Sequence, residues 1–298
     1  MSLLLFGAGG QVGRETAALA TARGLPLVAL DRAGANLAEP EIIERAIVTH
    51  RPQVVINAAA YTAVDKAESE PELADRINGQ APGLIAQACA RHGAALIHIS
   101  TDYVFDGTGE GAYVESDPVA PLGVYGASKE AGERAVRAGL DQHVILRTSW
   151  VYGVHGVNFL KTMLRLAEMR DRLTIVADQK GCPTATRDIA EALLTTAAAL
   201  QARKAPFGTY HLAGTGVTTW HGFACAIIER AAQHTGRQPE VAGITTADYP
   251  TPARRPANSE LSSELFAATF GFQAAPWQQR MGEVVDALLA PISSEGSS

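Results

Sequence analysis

The sequence predicts an α/β protein: a doubly wound, Rossmann-type parallel sheet with a smaller, irregular C-terminal lobe. Two observations carry this prediction. Short apolar runs alternate with helical patterns through the first half of the chain, which is typical of a parallel sheet covered by helices on both faces. The first of these runs, Leu3–Phe6, leads straight into a glycine-rich turn and a helix. In such folds ligands bind at the carboxyl ends of the strands, where turns of this kind lie.

The individual elements follow from the spacing of the apolar residues. Runs of three to five apolar residues predict buried strands, and apolar residues at a spacing of three or four predict helices. Right-handed crossovers between successive strands then give the doubly wound order. The predicted strands are 3–6, 27–30, 54–56, 95–99 and 144–146, and the predicted helices cover about 11–23, 39–50, 78–92 and 125–138.

The regular alternation ends after about residue 148, where prolines become frequent and loops lengthen. We therefore assign residues 1–148 to a nucleotide-binding Rossmann domain. Residues 149–186 and 204–290 are assigned to the second lobe, which is expected to bind the substrate. A helix over about 187–203 is expected to return and pack on the sheet, so that the two units interleave in sequence. The polar tail, 291–298, is expected to be disordered.

Composition excludes several classes of protein. The 298 residues are 47% hydrophobic and 19% charged, as in ordinary globular proteins. A net charge of −6 argues against a nucleic-acid partner, which requires a basic face. No apolar run approaches the ~20 residues that span a membrane, and the histidines and cysteines lack metal-ligand spacing, so neither a membrane partner nor a catalytic metal is expected. Three widely spaced cysteines without a C-x-x-C motif predict reduced thiols and a cytoplasmic location: Cys89, Cys182 and Cys225.

The glycine turn after the first strand predicts a dinucleotide site. Gly7, Gly10 and Gly13 form G-x-x-G-x-x-G at the start of a helix. Glycine permits the tight turn, and a bare backbone lets a pyrophosphate approach the amino end of the helix. An ordinary glycine-rich turn is the alternative, but the position between a strand and a helix favours the nucleotide site.

Two further positions bear on the nucleotide. Asp31 ends the second strand about 20 residues after the glycines, where an acid commonly binds the ribose hydroxyls. Arg32 beside it suits a 2′-phosphate. The acid favours NADH and the arginine NADPH, and a solvated turn is the third reading, so the choice stays open. Asn57 and the small residues after it, 58–60, leave room for a cofactor to approach the backbone.

The pair Tyr125 and Lys129 predicts the chemistry. Residues four apart on a helix share a face, and a nearby ammonium favours the phenolate, so we expect Lys129 to lower the pKa of Tyr125. Thr101, in the segment Ser100-Thr101-Asp102, is expected to hold a substrate oxygen beside the phenol; a local capping role is the alternative. Together with the glycine turn, these residues predict an enzyme that reduces ketones or oxidises alcohols with a nicotinamide cofactor.

Two other residues have competing explanations. His98 lies within an apolar strand and is expected to be a buried core histidine rather than a catalytic one. Trp150 follows the fifth strand at the mouth of the expected cleft. Stacking on a sugar or base and packing in the core are equally consistent with that position.

Longer segments make the chain resemble the extended short-chain dehydrogenase/reductase family, and within it the dTDP-4-dehydrorhamnose reductases. The likeness runs through nearly the whole chain, and the strings VDKAESEP and RTSWVY are its most specific parts. The segments that carry it are 10–13 (GQVG), 57–71 (NAAAYTAVDKAESEP), 100–105 (STDYVF), 125–129 (YGASK), 147–152 (RTSWVY), 158–163 (NFLKTM) and 249–259 (YPTPARRPANS).

The resemblance implies a set of site residues. Asn36 stands where relatives usually carry an acid near the adenine, so this contact differs here. The catalytic set would be Thr101, Tyr125 and Lys129. The cofactor would contact Gly7, Gly10, Gln11, Val12, Gly13, Asp31, Arg32, Asn36, Leu37, Ala60, Tyr61, Thr62, Ile99, Tyr125 and Lys129. The substrate would contact Thr101, Asp102, Trp150, Asn158 and Arg255.

The resemblance also implies the reaction. With NADPH or NADH, the 4-keto group of dTDP-4-dehydro-L-rhamnose would be reduced to dTDP-L-rhamnose, in dTDP-rhamnose biosynthesis for cell-surface polysaccharide. The second lobe would then bind the nucleotide sugar. A homodimer is possible, and Mg²⁺ is possible on the resemblance alone. The alternatives are a reductase or epimerase acting on another nucleotide-linked keto-sugar, or a non-catalytic nucleotide-sensing subunit. Tyr103 stands where related dehydratases carry a glutamate, so the base for elimination is missing.

Overall fold

A computed structural model describes residues 2–290. The strands are β1 (Leu3–Phe6), β2 (Leu27–Leu30), β3 (Val54–Asn57), β4 (Ala95–Thr101), β5 (His143–Thr148), β6 (Val151–Tyr152), β7 (Arg172–Val176), β8 (Lys180–Gly181), β9 (Thr184–Ala185), β10 (Gly208–His211), β11 (Thr218–Thr219), β12 (Glu240–Ile244) and β13 (Asn258–Ser259). The helices are α1 (Gln11–Ala22), α2 (Pro40–His50), α3 (Val64–Ala67), α4 (Pro71–Ala74), α5 (Ala81–His92), α6 (Val124–Gly139), α7 (Phe159–Met169), α8 (Thr186–Gln201), α9 (Trp220–Thr235), α10 (Glu264–Phe270) and α11 (Trp277–Leu289).

The central sheet has six parallel strands in the order β10-β5-β4-β3-β1-β2. The order reverses direction between β1 and β3, so the chain winds first toward one edge and then toward the other. The predicted doubly wound α/β class is confirmed. A switch point of this kind leaves a crevice at the carboxyl ends of the strands, where ligands bind.

The sheet is buried on both faces by two separate apolar layers. Alternate strand residues point to opposite faces, so Leu3 and Leu5 join one layer while Leu4 and Phe6 join the other. The first layer contains α1 and α8, and the second contains α2, α5 and α6. This double burial explains why the strands read as continuous apolar runs rather than alternating ones.

The helix expected over 187–203 is α8, which packs against α1. Its apolar residues Ile189, Leu193 and Ala197 are fully buried in the layer under β1, β3 and β4. The chain thus returns to the sheet after β6 and β9.

One strand of the central sheet was not predicted. β10 pairs in parallel with β5 and forms one edge of the sheet, yet it lies inside the range 204–290 that the sequence analysis gave to the second lobe. The prediction is wrong at this point. The strand, Gly-Thr-Tyr-His, contributes only Tyr210 to the apolar layer, so it lacks the apolar run that marks the other strands in the sequence.

A separate apolar cluster holds the helices of the C-terminal part together. α7, α9 and α11 pack around Tyr152 and Phe223, with Trp277 closing one side. The small parallel pair β7–β12 packs against α9. The exact boundaries of the two units stay a prediction.

Among residues 2–290, no helix has both the length and the apolar character needed to cross a membrane. The tail that the sequence analysis expects to be disordered, 291–298, lies outside the described residues.

Candidate active site

The polar residues singled out from the sequence gather at the carboxyl edge of the sheet. The turn after β1, the segment after β3 and the ends of β4 and β5 all lie there, because parallel strands end at the same edge. Ser100 and Thr101 belong to β4 itself rather than to the loop after it, and Thr101 pairs in register with Thr148 of β5.

The glycine turn forms a tight cradle at the amino end of α1. Gly7 has a φ of +86°, and a Cβ there would lie 2.5 Å from the Ala59 nitrogen. A Cβ on Gly13 would lie 2.1 Å from the Gly7 carbonyl oxygen. Gly10 is the N-cap residue, with no side-chain cap and no acid in the first turn of the helix. The uncapped N–H groups and the helix dipole therefore suit an anion such as the pyrophosphate of a dinucleotide.

Asp31 and Arg32 lie on the surface beside this cradle. The Asp31 Oδ1 accepts hydrogen bonds from the backbone N–H groups of Ala33 and Gly34, at 3.0 Å each, which leaves Oδ2 for a ribose hydroxyl. The Arg32 side chain is exposed. The structure thus keeps both cofactor choices open, as the sequence did.

Asn36 and Leu37 differ in what they can offer a cofactor. The Asn36 amide donates to Glu39 at 2.8 Å and its oxygen accepts from the Ala38 N–H. Leu37 is buried in the apolar layer with α2, so its side chain faces the core. Only the backbone of Leu37 is free to meet an adenine.

Gln11 and Asn158 are brought together across the two parts of the chain. The Asn158 amide donates to the Gln11 side-chain oxygen and to the Gly153 carbonyl, both at 2.8 Å. Its own oxygen accepts from the Lys161 N–H and so caps α7. The side chain of Asn158 is therefore engaged within the chain, and its contact with the substrate stays a prediction.

The segment after β3, which contains Ala60 and Thr62, is fixed by hydrogen bonds to the residue between them, Tyr61. Asn78 accepts a hydrogen bond from the Tyr61 N–H and donates to the Tyr61 carbonyl, at 2.8 and 3.0 Å. The Tyr61 hydroxyl donates to Glu70 at 2.8 Å. Both ends of Tyr61 are therefore fixed, while Thr62 stays exposed toward solvent.

Helix α6, which carries Tyr125, is seated by a close backbone approach. A Cβ on Gly126 would lie 2.2 Å from the Tyr103 carbonyl oxygen, so only glycine permits this contact. The Glu68 carboxylate accepts a hydrogen bond from the Val124 N–H at 2.8 Å and supplies the cap that the N-cap residue Gly123 lacks. An anion at the amino end of a helix is also stabilised by the helix dipole.

Tyr125 lies among hydroxyl and acidic groups. The Thr101 hydroxyl is beside the phenol, and the ring of Tyr103 meets the Tyr125 ring edge-on at 5.5 Å. Burial, and secondarily the charge of Asp102, raises the pKa of Tyr125 to about 12, although the Thr101 hydroxyl acts in the opposite direction. The phenol therefore keeps its proton through the neutral range.

Lys129 is buried one turn farther along α6. Its Nζ donates to the Ile99 carbonyl oxygen of β4 at 2.7 Å. Burial lowers the pKa of Lys129 to about 8, while the charge of Glu133 raises it. The expectation that Lys129 lowers the pKa of Tyr125 is wrong for this geometry, because burial and Asp102 decide the phenol's pKa and the ammonium is directed at the strand.

Asp102 is buried at the junction of β4 and the C-terminal part of the chain. Its Oδ1 accepts a hydrogen bond from the Thr101 hydroxyl at 2.9 Å, and the Tyr103 N–H donates to the Thr101 oxygen at 3.2 Å. The capping alternative for Thr101 is thus also realised, alongside its place beside the phenol. Burial raises the pKa of Asp102 to about 6, against the effect of the Ser259 and Thr101 hydroxyls.

Trp150 is stacked on another indole. Its ring lies 3.6 Å from that of Trp220 with an angle of 8° between the planes, and Gly181 abuts it so closely that a Cβ would come within 2.6 Å. Its φ is +47°, which is rare for a bulky residue and places strain at the end of β5. One face of the ring is therefore used in packing, and the substrate contact stays a prediction.

Arg255 reaches from the C-terminal part to the Rossmann part. It forms a two-pronged ion pair with Asp65, with nitrogen–oxygen distances of 3.0 and 2.7 Å, and donates to the Thr251 hydroxyl at 2.6 Å. Burial is the largest single effect on the Arg255 pKa and lowers it, but the Asp65 carboxylate together with Tyr103 and Tyr249 raises the pKa overall. The ion pair was not foreseen from the sequence. The ion pair uses the two terminal nitrogens of Arg255, so its Nε is left for a ligand.

The segment VDKAESEP contains three acids whose structural contacts the sequence analysis did not predict. Asp65 pairs with Arg255, Glu68 caps α6, and Glu70 holds the Tyr61 hydroxyl. The only signal for them was the string itself, because no local pattern records which residue each carboxylate contacts.

Metal ligands do not converge here. Among residues 2–290, no group of three or more His, Cys, Asp or Glu side chains is placed to hold a metal ion.

Known proteins match this chain along nearly its full length. The model of a family described as the RmlD substrate binding domain matches residues 1–290. The dTDP-4-dehydrorhamnose reductase of Burkholderia thailandensis is 45% identical over 298 residues, covering 97% of this chain and 100% of the relative. The solved structure of a Clostridium acetobutylicum dTDP-4-dehydrorhamnose reductase has a TM-score of 0.90 at 36% identity, covering 97% of this chain and 99% of the other. A Bacillus anthracis dTDP-4-dehydrorhamnose reductase in complex with NADP has a TM-score of 0.88 at 32% identity, covering 95% and 99%.

The cap on α6 gives a stability prediction. Glu68→Ala leaves the first N–H groups of α6 without that partner, and a lost helix cap costs ~1 kcal/mol. We expect the melting temperature to fall by on the order of 2–4 °C. Glu72→Ala, an exposed acid in the neighbouring α4, is the matched control and is expected to leave the melting temperature unchanged. Equal effects of the two substitutions in thermal unfolding would show that Glu68 is not a cap.

Proposed function

The chain belongs to the RmlD substrate binding domain family, and we propose from this that it reduces the 4-keto group of dTDP-4-dehydro-L-rhamnose to dTDP-L-rhamnose with NADPH or NADH. The enzyme is an oxidoreductase of the short-chain dehydrogenase/reductase type, in the synthesis of dTDP-rhamnose. Its substrate is a nucleotide sugar.

The observation that carries the proposal is the protonated phenol of Tyr125 beside the Thr101 hydroxyl at the carboxyl edge of the sheet. A ketone reductase must give a proton to the oxygen of the carbonyl it reduces. Because its pKa is raised to about 12, Tyr125 holds that proton at neutral pH. The glycine cradle lies at the same edge, so a dinucleotide and a carbonyl meet there.

We assign the steps as follows. The Thr101 hydroxyl orients the substrate oxygen, and Tyr125 donates its hydroxyl proton as negative charge develops on that oxygen. The transfer leaves a phenolate on Tyr125. The buried Lys129 ammonium, one turn away, is proposed to hold the nicotinamide ribose. Holding the reactants in register supplies much of the acceleration.

The residues of the cradle fit the cofactor. Gly7, Gly10 and Gly13 would receive the pyrophosphate, with Gln11 and Val12 on the first turn of α1. Asp31 or Arg32 would meet the adenosine ribose, and Ala60, Tyr61 and Thr62 would lie along the other side. When bound, the reduced nicotinamide supplies hydride to the carbonyl carbon. Its ribose would meet Tyr125 and Lys129, next to Ile99.

The substrate is placed by residues from both parts of the chain. Asp102 and Trp150 are proposed to contact the sugar and base, and Arg255 the diphosphate. Support for Arg255 comes from its position near Tyr103, whose ring meets that of Tyr125. The bonds that Asn158 makes within the chain support a role in ordering the cradle.

A dehydratase is disfavoured by Tyr103, whose phenol has a raised pKa because of its burial and so cannot serve as a base. A non-catalytic nucleotide-sensing subunit would not need a proton donor, and the retained Thr101, Tyr125 and Lys129 argue against it. A cytoplasmic location is supported by three free cysteines. A homodimer, and Mg²⁺ within it, are expectations from the resemblance.

The proposal is tested by turnover. We expect NADPH or NADH to be oxidised in the presence of dTDP-4-dehydro-L-rhamnose, with dTDP-L-rhamnose as the product. Turnover of other nucleotide-linked keto-sugars, measured with each cofactor, determines the substrate specificity. No oxidation above the substrate-free rate would refute the proposal, and faster turnover of another keto-sugar would correct the substrate.

The pKa values predict how turnover depends on pH. Lys129, with a pKa of about 8, is charged below that pH and loses its charge above it, while Tyr125 keeps its proton to about pH 12. We therefore expect kcat/KM for reduction to fall as the pH rises through about 8. A profile that stays flat to pH 10 would show that the Lys129 charge does not matter for the reaction.

Three substitutions test the role of Arg255. Arg255→Ala should raise the KM for the nucleotide sugar about tenfold to a hundredfold, since a lost charge-assisted contact costs roughly 1.5–3 kcal/mol. The Kd for NADPH should not change. Arg254→Ala, at an exposed neighbour, should have little effect. Asp65→Asn removes the partner but keeps the guanidinium, so it should raise KM less than Arg255→Ala does; an equal or larger rise would mean that Arg255 only ties the two parts together.

A further inference from the structure

A seam of buried charged and polar groups runs between α6 and the sheet, and the reaction steps above use only Lys129 from it. Glu133 lies one turn beyond Lys129 on α6 and has no exposed surface. Arg147 of β5 reaches it with two hydrogen bonds, Nε to Oε1 at 2.9 Å and NH2 to Oε2 at 2.7 Å. The neighbouring Arg137, at the solvent side, donates to Glu133 at 3.0 Å.

Arg147 is itself fixed on its other sides. Its NH1 lies 3.4 Å from the His211 Nε2 of β10, and its guanidinium carbon lies 5.1 Å from the centre of the Phe105 ring. The pair with Glu133 therefore has one geometry, held by β5, β10 and the segment after β4.

Stability does not explain why this pair is buried. Moving two charges out of water costs several kcal/mol per ion, and apolar residues of similar volume are often as stable or more so. The strand positions around Arg147 are filled by apolar residues such as Ile145. A charged pair at this place thus needs another reason.

The reason lies in the surroundings of Lys129. His98 of β4 faces it and is neutral, since burial and then the charge of Lys129 hold the His98 pKa well below its usual value. Tyr125 is protonated. His143 of β5 lies beyond His98, and His211 is neutral because burial lowers its pKa to about 4. Glu133 is the anion whose charge acts on Lys129.

Glu133 is ionised despite its burial. Burial is the largest single effect on it and raises its pKa, but the hydrogen bonds and charge of Arg147, with help from Arg137, hold the pKa below its ordinary value. Arg147 therefore fixes both the charge and the place of Glu133.

We propose that Glu133 is a positioning residue that keeps the buried Lys129 ammonium charged under working conditions, and that Arg147 holds Glu133 in the place where it does so. Without that anion, burial alone would drive Lys129 toward its neutral form. The inference rests on the proposed function, because it concerns a lysine of the proposed catalytic set.

The test compares pH profiles of kcat/KM for the full chain and its variants. Glu133→Gln keeps the shape and removes the anion, so the alkaline fall should move to lower pH by ~1 unit. Arg147→Gln removes the partner that keeps the buried Glu133 ionised, so the carboxyl should take up a proton and the fall should also move to lower pH. The control is Glu130→Gln, a largely buried acid adjacent to Lys129 in sequence that pairs with Arg134 at 3.0 Å, and it should leave the profile in place.

A double variant guards against loss of folding. Glu133→Gln with Arg147→Gln removes both members of the ion pair, so neither is left as an unpaired buried charge, and the double variant is expected to fold better than either single variant. The double variant also lacks the anion, so the fall should still move to lower pH, but by less than in Glu133→Gln alone, where the unpaired Arg147 cation remains. A shift of either single variant to higher pH, or unmoved profiles with lowered melting temperatures, would overturn the proposal.

A second readout needs neither substrate nor cofactor. A buried lysine whose pKa is depressed destabilises the fold below that pKa, and the penalty is relieved as the pH rises toward its unfolded value, ~10.4. In Glu133→Gln, Lys129 should lose its proton at a lower pH, so the destabilisation that its charge causes should begin to disappear at a lower pH. The difference in melting temperature between Glu133→Gln and wild type should therefore become smaller between about pH 6 and 9. A constant deficit would contradict the proposal even if the wild-type enzyme proved inactive on dTDP-4-dehydro-L-rhamnose, whereas absence of turnover alone would contradict only the proposed function.

Discussion

The seating of α6 on the sheet is the constraint on which the rest of the site depends. This one helix carries the proposed proton donor and the buried lysine, and it approaches the chain so closely at Gly126 that no side chain fits there. Glu68 caps its first turn, and Lys129 bonds to the carbonyl oxygen of Ile99. Because these contacts come from three different parts of the Rossmann unit, a shift of the helix would break all of them together. The position of the phenol is thus set by the fold rather than by flexible side chains.

Burial decides the protonation states of the site residues, because it disfavours their charged forms. It raises the pKa of Tyr125 to about 12 and that of Asp102 to about 6, and it lowers that of Lys129 to about 8. Each group is moved toward its neutral form, as expected in a medium of low dielectric. For a reductase this is useful in the phenol, which must hold a proton to give. It is costly in the lysine, and the structure offsets that cost with an anion one helical turn away.

Much of the fold was predictable because local patterns decide it. The strands from β1 to β5 and the longer helices α1, α2, α5 and α6 were found within a few residues, since both faces of the sheet demand apolar runs, whereas the four-residue helices α3 and α4 were not predicted. β10 was missed because an edge strand leaves a weak pattern. The candidate site divides in the same way. Gly7, Tyr125 and Lys129 belong to short motifs, whereas the pairing of Arg255 with Asp65, 190 residues apart, and the stacking of Trp150 on Trp220 depend on tertiary contacts that no local pattern records. The same limit explains why the effect of Lys129 on the Tyr125 pKa was misjudged: spacing along a helix indicates nearness, but not where the ammonium points.

The central claim is that the Tyr125 hydroxyl, held in place by α6, is the proton donor. The most direct measurement is turnover of dTDP-4-dehydro-L-rhamnose by Tyr125→Phe, together with the Kd for NADPH of the same variant. Removing only the hydroxyl should lower kcat by on the order of 10²–10⁴-fold, the usual size of a general-acid contribution, and leave cofactor affinity nearly unchanged. A variant that binds NADPH normally and retains more than half of the wild-type kcat would contradict the account.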